Sequence, residues 1–250
     1  QAQQVAAADE TDGKTLQEMV VTANRIEQPL SDLMADMTII DDKTIARQGP
    51  GGVADVLARV PGIQITRNGG PGASTSVFIR GAESRFTAVY IDGVRVDSQS
   101  TGGASWQSLP LSLIDRIEVL RGPAAAVYGS DAMVGVIQIF TKKGEGAAKP
   151  YVGLGIGSRG TYTAEAGVAG AANGWDYSLG LNRSQSDGFN ARTTATANPD
   201  KDGYRNNAIN ARLGYQINQQ HRVEATMMAS DMNSGYDTSP TADDRSINKS

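Results

Sequence analysis

Cysteine is absent from this 250-residue chain, which rules out disulfides and thiolate metal sites while leaving oxygen-ligand sites open. Histidine occurs once, as His221, beside a short predicted turn and with no nucleophile motif near it, so it reads as a surface turn residue rather than a general base. No apolar run approaches the roughly 20 residues that cross a bilayer as a helix, and no basic-apolar signal segment is present. Dense Lys/Arg blocks are also missing. With a net charge of -4 there is no general attraction to nucleic acid, and no nucleic-acid partner is expected. Ser130 follows a glycine in YGSDAMVG, but the spacing does not make a nucleophile elbow, so nothing points to an enzyme.

What is present supports an ordered protein. Hydrophobic residues at 39% and charged residues at 20% make a core feasible, in one large domain or two modest ones. The opening QAQQVAAADE suits a processed, exported chain as well as an arbitrary start.

From Asp36 to about Lys143 short helical and strand patterns mix into an α+β unit of roughly a hundred residues. DDKTIARQG offers Asp41 and Asp42 as caps and closes at Gly49. GGVADVLARVPG puts Val53, Val56, Leu57 and Val60 on one helical face before Pro61 and Gly62 stop it. SVFIRG, TAVYIDGVRV, IDRIEVLRG and GVIQIFTKK read as strands, with Asp92-Gly93 as a tight turn. The Gly-rich connections NGGPGAST and SQSTGGAS are long enough to be binding loops or flexible linkers.

After Pro150 the pattern becomes strict alternation. Trp175, Tyr177, Leu179 and Leu181 share one face against Asp176, Ser178, Gly180 and Asn182, and Ile209, Ala211, Leu213, Tyr215 and Ile217 repeat this against Asn210, Arg212, Gly214 and Gln216. A soluble sandwich has the same period. The short connections AANG and NQQH, set against long loops expected at residues 187–203 and 233–245 on the other rim, favour an outer-membrane barrel, with SRGT around residues 158–160 the short exception on the long side and Trp175 and Tyr177 as interface anchors. About 100 residues make only five or six strands, fewer than the eight of the smallest such barrels, and an open sheet in lipid leaves unpaired edges. The sheet is expected to be completed by residues outside this sequence.

Residues 117–143, IEVLRGPAAAVYGSDAMVGVIQIFTKK, resemble the end of the plug domain of TonB-dependent outer-membrane transporters, and VLARVPGIQI, VFIRG and YIDGVRV stand in that family's order. The resemblance runs from about residue 18 to residue 245 and is strongest to the family's cobalamin receptors. It implies a flexible N-terminus (1–35), an α+β plug domain (36–149), and in residues 150–250 the first antiparallel transmembrane β-strands of a plugged barrel of about 22 strands.

The resemblance also assigns sites. EMVVTA, comprising Glu18, Met19, Val20, Val21, Thr22 and Ala23, looks like the TonB box, the segment captured by the periplasmic energy-transducing partner TonB. An extended β-prone segment on a tether can add a strand to a partner's sheet edge; the alternative is a first plug strand paired internally. Arg80 and Arg121 match plug arginines that pair in the family with carboxylates of the barrel wall, a role suited to a forked, permanently charged group. The apex loops place Asn68, Ser74, Thr75, Ser76, Thr101 and Gly102 where cobalamin receptors touch their ligand, although Ala73 replaces a longer amide residue.

Two acidic loops, NPDKDGY and GYDTSPTADDR, would gather carboxylates on one rim, where a hard cation with six to eight oxygen ligands relieves their repulsion. The set that matches the cobalamin receptors' calcium site is Asn190, Asp200, Asp202, Tyr236, Asp237 and Asp243, with Asp244 as an alternative to Asp243. Asn190 stands where those receptors have an acid. The expected function is TonB-dependent import of a large scarce nutrient, cobalamin or a related corrinoid, through outer-membrane lipid. A siderophore or other metal chelate is the alternative substrate, and a calcium-dependent surface binding protein that does not transport is the alternative class.

Overall fold

The computed structural model describes residues 20–21, 28–29, 36–47, 51–70, 72–97, 103–122, 125, 128–129, 132–190, 200–239 and 242–249. Strands β1 (Val20–Val21) and β2 (Gln28–Pro29) form a small antiparallel hairpin ahead of the α+β unit. That unit is built on five strands: β3 (Asp36–Ile40), β6 (Thr87–Ile91), β7 (Val94–Arg95), β8 (Ile114–Arg121) and β9 (Gly135–Thr141). Their order across the sheet is β3-β8-β9-β6-β7, with β6 and β9 parallel and the remaining pairs antiparallel.

Two short helices lie over this sheet. Asp41, rather than Asp42, caps α1 (Asp42–Ala46), its carboxylate accepting from the Thr44 N–H at 2.8 Å. In α2 (Val53–Leu57) the predicted stripe is buried: Val53, Val56, Leu57 and Val60 pack with Ile117, Val119, Ile137 and Ile139 of the sheet. The hairpin of β4 (Ile63–Arg67) and β5 (Thr75–Ile79) adds Ile63, Val77 and Ile79 to the same core. A smaller cluster of Ala88, Leu120, Ala125, Ala132 and Val136 covers other positions of the same strands. Single 3₁₀ turns at Ser84–Phe86, Trp106–Ser108 and Leu111–Leu113 link the strands, and the second carries the buried Trp106.

The alternating region forms one antiparallel sheet in sequence order: β10 (Lys149–Gly157), β11 (Thr161–Ala172), β12 (Trp175–Phe189), β13 (Asp202–Gln216), β14 (Arg222–Ser239) and β15 (Ala242–Lys249). Its polarity decides between a sandwich and a membrane wall. Val152, Leu154 and Ile156 are 78%, 83% and 90% exposed, and Leu181, Leu213, Val223 and Met227 also face outward. The buried face carries Asp176, Ser178, Asn206, Asn210, Arg212, Ser230 and Ser234. A sheet that is apolar outside and polar inside would be inside out in water and is the expected arrangement in lipid. Strands of 15 and 18 residues, as in β12 and β14, exceed the roughly 9–11 needed to cross a bilayer. At the end nearest the AANG turn Trp175 and Tyr215 stack outward with ring centroids 4.5 Å apart, as an interface girdle requires. Among the described residues no helix is long and apolar enough to cross a membrane, which has no bearing on crossing by strands.

The connection expected as a loop at 233–245 is instead strand over most of its length: β14 runs to Ser239, β15 begins at Ala242, and Ser239 pairs with Ala242. The Asp-, Ser- and Gly-rich composition that suggests a loop is equally compatible with a hairpin wet on both faces. The first long connection is likewise trimmed, β12 continuing to Phe189 and β13 starting at Asp202.

Candidate functional site

The β4–β5 loop meets the wall sheet through two glycines. A Cβ on Gly72 would stand 2.3 Å from Tyr204 Cβ and 3.2 Å from Met232 Cε, and one on Gly70 would stand 3.2 Å from the Asp202 carbonyl oxygen. Glycine here permits close approach of the loop backbone to β13 and β14, a role that the flexible-linker reading of NGGPGAST does not contain. The loop closes on itself, Asn68 N–H donating to the Ser74 carbonyl at 3.0 Å.

Of the expected substrate contacts, Asn68 and Ser74 are exposed, Ser76 is half-buried, and Thr75 is buried. The Thr75 hydroxyl donates to the Ala73 carbonyl at 3.0 Å and accepts from Arg67 Nε at 3.3 Å, so it serves the loop's own geometry. Thr101 and Gly102 lie outside the described residues.

Strand register carries the expected metal residues to the same end of the wall. Phe189, next to Asn190, pairs with Asp202; Tyr236 pairs with Asp244 and Asp237 with Asp243. A Cβ on Gly235 would lie 3.7 Å from Asp202 Cα, which puts Asp202 beside the start of the acidic hairpin. Asp200 sits two residues before Asp202, at the lip of β13. Like charges directly opposite on paired strands repel, so Asp237 across from Asp243 is a position where a cation is favourable. Among the described residues no group of three or more acidic or histidine side chains is placed to hold a metal ion, and the side chains of Asp237, Asp243 and Asp244 lie outside that description.

Arg80 and Arg121 converge on one carboxylate inside the α+β unit. Arg121 donates to Asp36 Oδ1 through Nη2 at 2.7 Å and Nε at 3.1 Å, with a further bond from Nη2 to Thr38 Oγ1 at 2.7 Å, while Arg80 pairs with Asp36 Oδ2. Hydrogen bonding from Arg121 is the main cause that holds the Asp36 carboxyl below its usual range, opposed by partial burial and helped by the charges of both arginines. Arg80 adopts φ of 52°, which turns its side chain out of the β5 ladder toward Asp36. Asp36 is not legible as a site in the sequence: it stands alone at the start of a strand, and its partners are 44 and 85 residues away.

In the expected TonB box, Val20 pairs with Pro29 and Val21 with Gln28, whereas Glu18, Met19, Thr22 and Ala23 lie outside the described residues. This two-rung hairpin is separate from the five-stranded sheet. Two-stranded ribbons of that length have marginal stability.

Between α1, α2 and the inner face of β10–β13 lies a cleft of about 620 Å³, bordered by Asp55, Arg67, Trp106, Glu165, Tyr204 and Asn206. The α+β unit bridges to the wall by hydrogen bonds, Asn182 Nδ2 to Ser112 Oγ at 3.1 Å and Asn206 Nδ2 to the Ser108 carbonyl at 3.3 Å. His221 lies in the β13–β14 turn, its N–H donating to Asn218 Oδ1 at 2.8 Å.

Residues 29–136 match the family model of the TonB-dependent receptor plug domain. The chain is 38% identical over 238 residues to the vitamin B12 transporter BtuB of Photobacterium profundum, a match covering 94% of this chain and 38% of that protein. It is 37% identical over 221 residues to the BtuB of Vibrio vulnificus, covering 88% of this chain and 36% of that one. Both matches span well under half the length of the relatives. Among solved structures, the pyoverdine outer-membrane receptor FpvA of Pseudomonas aeruginosa superposes with a TM-score of 0.72 at 16% identity, over 92% of this chain and 32% of the other, which speaks to the fold. These relatives are transporters and receptors rather than enzymes. A plug domain seated against an inside-out antiparallel sheet, with relatives matched along nearly its whole length, places this chain in the TonB-dependent receptors of the bacterial outer membrane.

Proposed function

We propose that the complete receptor imports a corrinoid, cobalamin in the first instance, across the outer membrane by TonB-driven displacement of the plug. Residues 150–250 would supply the first strands of a barrel of about 22 strands, the number that leaves a plugged lumen. The supporting observation is that the β4–β5 loop is held by Gly70 and Gly72 against the rim on which Asn190, Asp202 and the acidic hairpin stand, so plug apex and rim form one surface. Asn68 and Ser74 are exposed on that loop and offer small polar groups suited to a large polar ligand. The relatives named as vitamin B12 transporters favour cobalamin; a structural neighbour named as a siderophore receptor, PirA of Acinetobacter baumannii at 25% identity, keeps a metal chelate as the second reading.

Calcium would be held by Asn190, Asp200, Asp202, Tyr236, Asp237 and Asp243 or Asp244, supplying positive charge that orders the hairpin over the ligand. With ligand bound, residues 18–23 would leave their local pairing and add a strand to TonB, which then pulls on the plug through the backbone.

The test is cyanocobalamin binding and uptake by the complete receptor, with and without calcium, in the parent and in a deletion of residues 18–23. Binding that tightens with calcium, and uptake that stops in the deletion while binding persists, support the reading. A receptor indifferent to cyanocobalamin but saturable by a ferric siderophore moves the substrate to the chelates. Uptake unaffected by the deletion overturns TonB dependence.

A further inference from the structure

Resting on the transport reading above, we propose that Asp92 of the plug and Arg212 of the wall form a releasable latch that holds the plug in its closed seat. Asp92 opens the turn between β6 and β7 with φ of 47°, a conformation that asparagine adopts at least as readily. The turn therefore needs no charge. The carboxylate has a different use: Oδ1 accepts from the Thr141 N–H at 2.9 Å and from Arg212 Nη1 at 3.1 Å, and Oδ2 accepts from the Thr141 hydroxyl. Since the Asp92 N–H also donates to the Ile139 carbonyl at 2.9 Å, this one residue ties the end of β6 to the end of β9, the last plug strand before the wall begins. The Asp92 and Arg212 side chains are 3% and 4% exposed, so their attraction is little screened by solvent.

The wall side of the latch is built to survive its release. Arg212 Nη2 donates to Glu224 Oε1 at 2.6 Å; Arg222 donates to Glu224 Oε2 at 3.2 Å and to Asp176 Oδ2 at 2.6 Å. With Asp92 in place the group holds three carboxylates and two guanidiniums. Remove Asp92 and the wall keeps two of each, in mutual contact. Breaking a buried ion pair is costly chiefly because it strands a charge. Here the arginine left behind is already paired with Glu224, so departure of the plug strands nothing in the wall, and Asp92 leaves bonded to Thr141. The pair is a fastening that can open and close repeatedly, with Asp92 as the plug's positioning residue.

The experiment uses the complete receptor in planar bilayers without TonB, scoring openings large enough to require plug displacement. Asp92→Asn keeps the turn and removes the charge; Arg212→Met removes the socket; Arg212→Lys keeps the charge and loses the fork. Each of the first two should raise the opening frequency by about tenfold or more, with Arg212→Lys between them and the parent. The double variant should open no more often than the larger single, because both act through one contact. Ligand affinity and the heat-modifiable migration of the folded barrel should not change. Openings at the parent frequency in a folded Asp92→Asn receptor overturn the latch, as do single effects that add in full. If Arg212→Met fails to fold, Asp92→Asn and Arg212→Lys decide the question alone. Because no TonB is present, this outcome is independent of whether deletion of residues 18–23 abolishes uptake.

Discussion

Replacing Gly72 by alanine tests the seat of the plug apex with a single methyl group. The new Cβ would fall 2.3 Å from Tyr204 Cβ, 2.8 Å from Tyr204 Cγ and 3.2 Å from Met232 Cε. Carbon atoms prefer about 3.5–4.0 Å, so the loop or the tyrosine has to retreat by more than about 1 Å. Met232 is 2% exposed, and Tyr204 is anchored at its Cβ by the strand itself, so neither can swing away as a surface side chain would. Overpacking of this kind costs about 1–3 kcal/mol. The natural reporter is Trp106, buried in the plug, read as its ¹⁹F resonance in fluorotryptophan-labelled receptor and assigned by its loss in Trp106→Phe. In the complete receptor, the urea midpoint of the Trp106 transition should fall by the amount that about 1–3 kcal/mol dictates, while the barrel band stays heat-modifiable. If seating the apex also builds the ligand surface, affinity should drop roughly 5- to 150-fold. Gly52→Ala is the matched control, since its nearest neighbour would be Asp55 Oδ2 at 3.6 Å with no strained φ. A Gly72→Ala receptor that binds and unfolds like the Gly52→Ala control would refute the close-approach reasoning.

Other outcomes follow from the same contacts. The Asp36 carboxyl has its pKa lowered in the folded plug, so the stability it contributes is complete above the unfolded value and is lost as pH falls through the lower folded value. The parent's advantage over Asp36→Asn should therefore be constant between about pH 5 and 8 and should disappear only below about pH 4. Because that side chain is 45% exposed, the advantage should be no more than about 1 kcal/mol, measurable by urea unfolding across pH. Removing the α1 cap with Asp41→Ala should cost about 1 kcal/mol in the same assay, leaving the wall unaffected. For the acidic hairpin, Asp237→Asn should protect residues 233–246 from proteolysis in a chelator, by relieving repulsion across from Asp243, and expose them in calcium, by removing a ligand; a change of the same sign in both conditions would exclude a cation there.

The motifs that name the fold are local in sequence, which is why they can be read there. The apolar stripe of α2, the β8 and β9 strands and the period-two alternation after Pro150 each carry their signal within about ten residues. The direction of that alternation is not legible, since a sandwich and a membrane wall share a period and differ only in which face meets the second layer. Exposure of Val152, Leu154 and Ile156 supplies the answer. The hairpin at 233–245 reads as a loop because polar composition marks contact with water, and a ladder standing clear of the bilayer is wet on both faces. Asp36, Asp92 and Arg212 are hidden for a third reason. Each looks ordinary in its own segment, a strand start, a turn and a wet-face position, and gains its role from a partner as far as 120 residues away.

The contacts between plug and wall explain how a domain can be both seated and removable. An apolar interface gives up about 25 cal/mol for every Å² exposed to water, so parting a large one is prohibitive without external work on a matching scale. Among the described residues this interface is crossed by polar contacts, Asn182 to Ser112, Asn206 to Ser108 and Arg212 to Asp92. A neutral bond of that type is worth only about 0.5–1.5 kcal/mol net, because water replaces the lost partner. Apolar contacts include points where a glycine receives a neighbour, Leu113 at Gly180 of the wall and Met232 at Gly72 of the plug. Such points fix the plug's position without adding much area to be wetted. Polar contacts between wall and stopper make the closed state specific in geometry while each is modest in depth, and the buried ion pair among them stands at Asp92, where loss of the contact leaves the wall's own charges balanced.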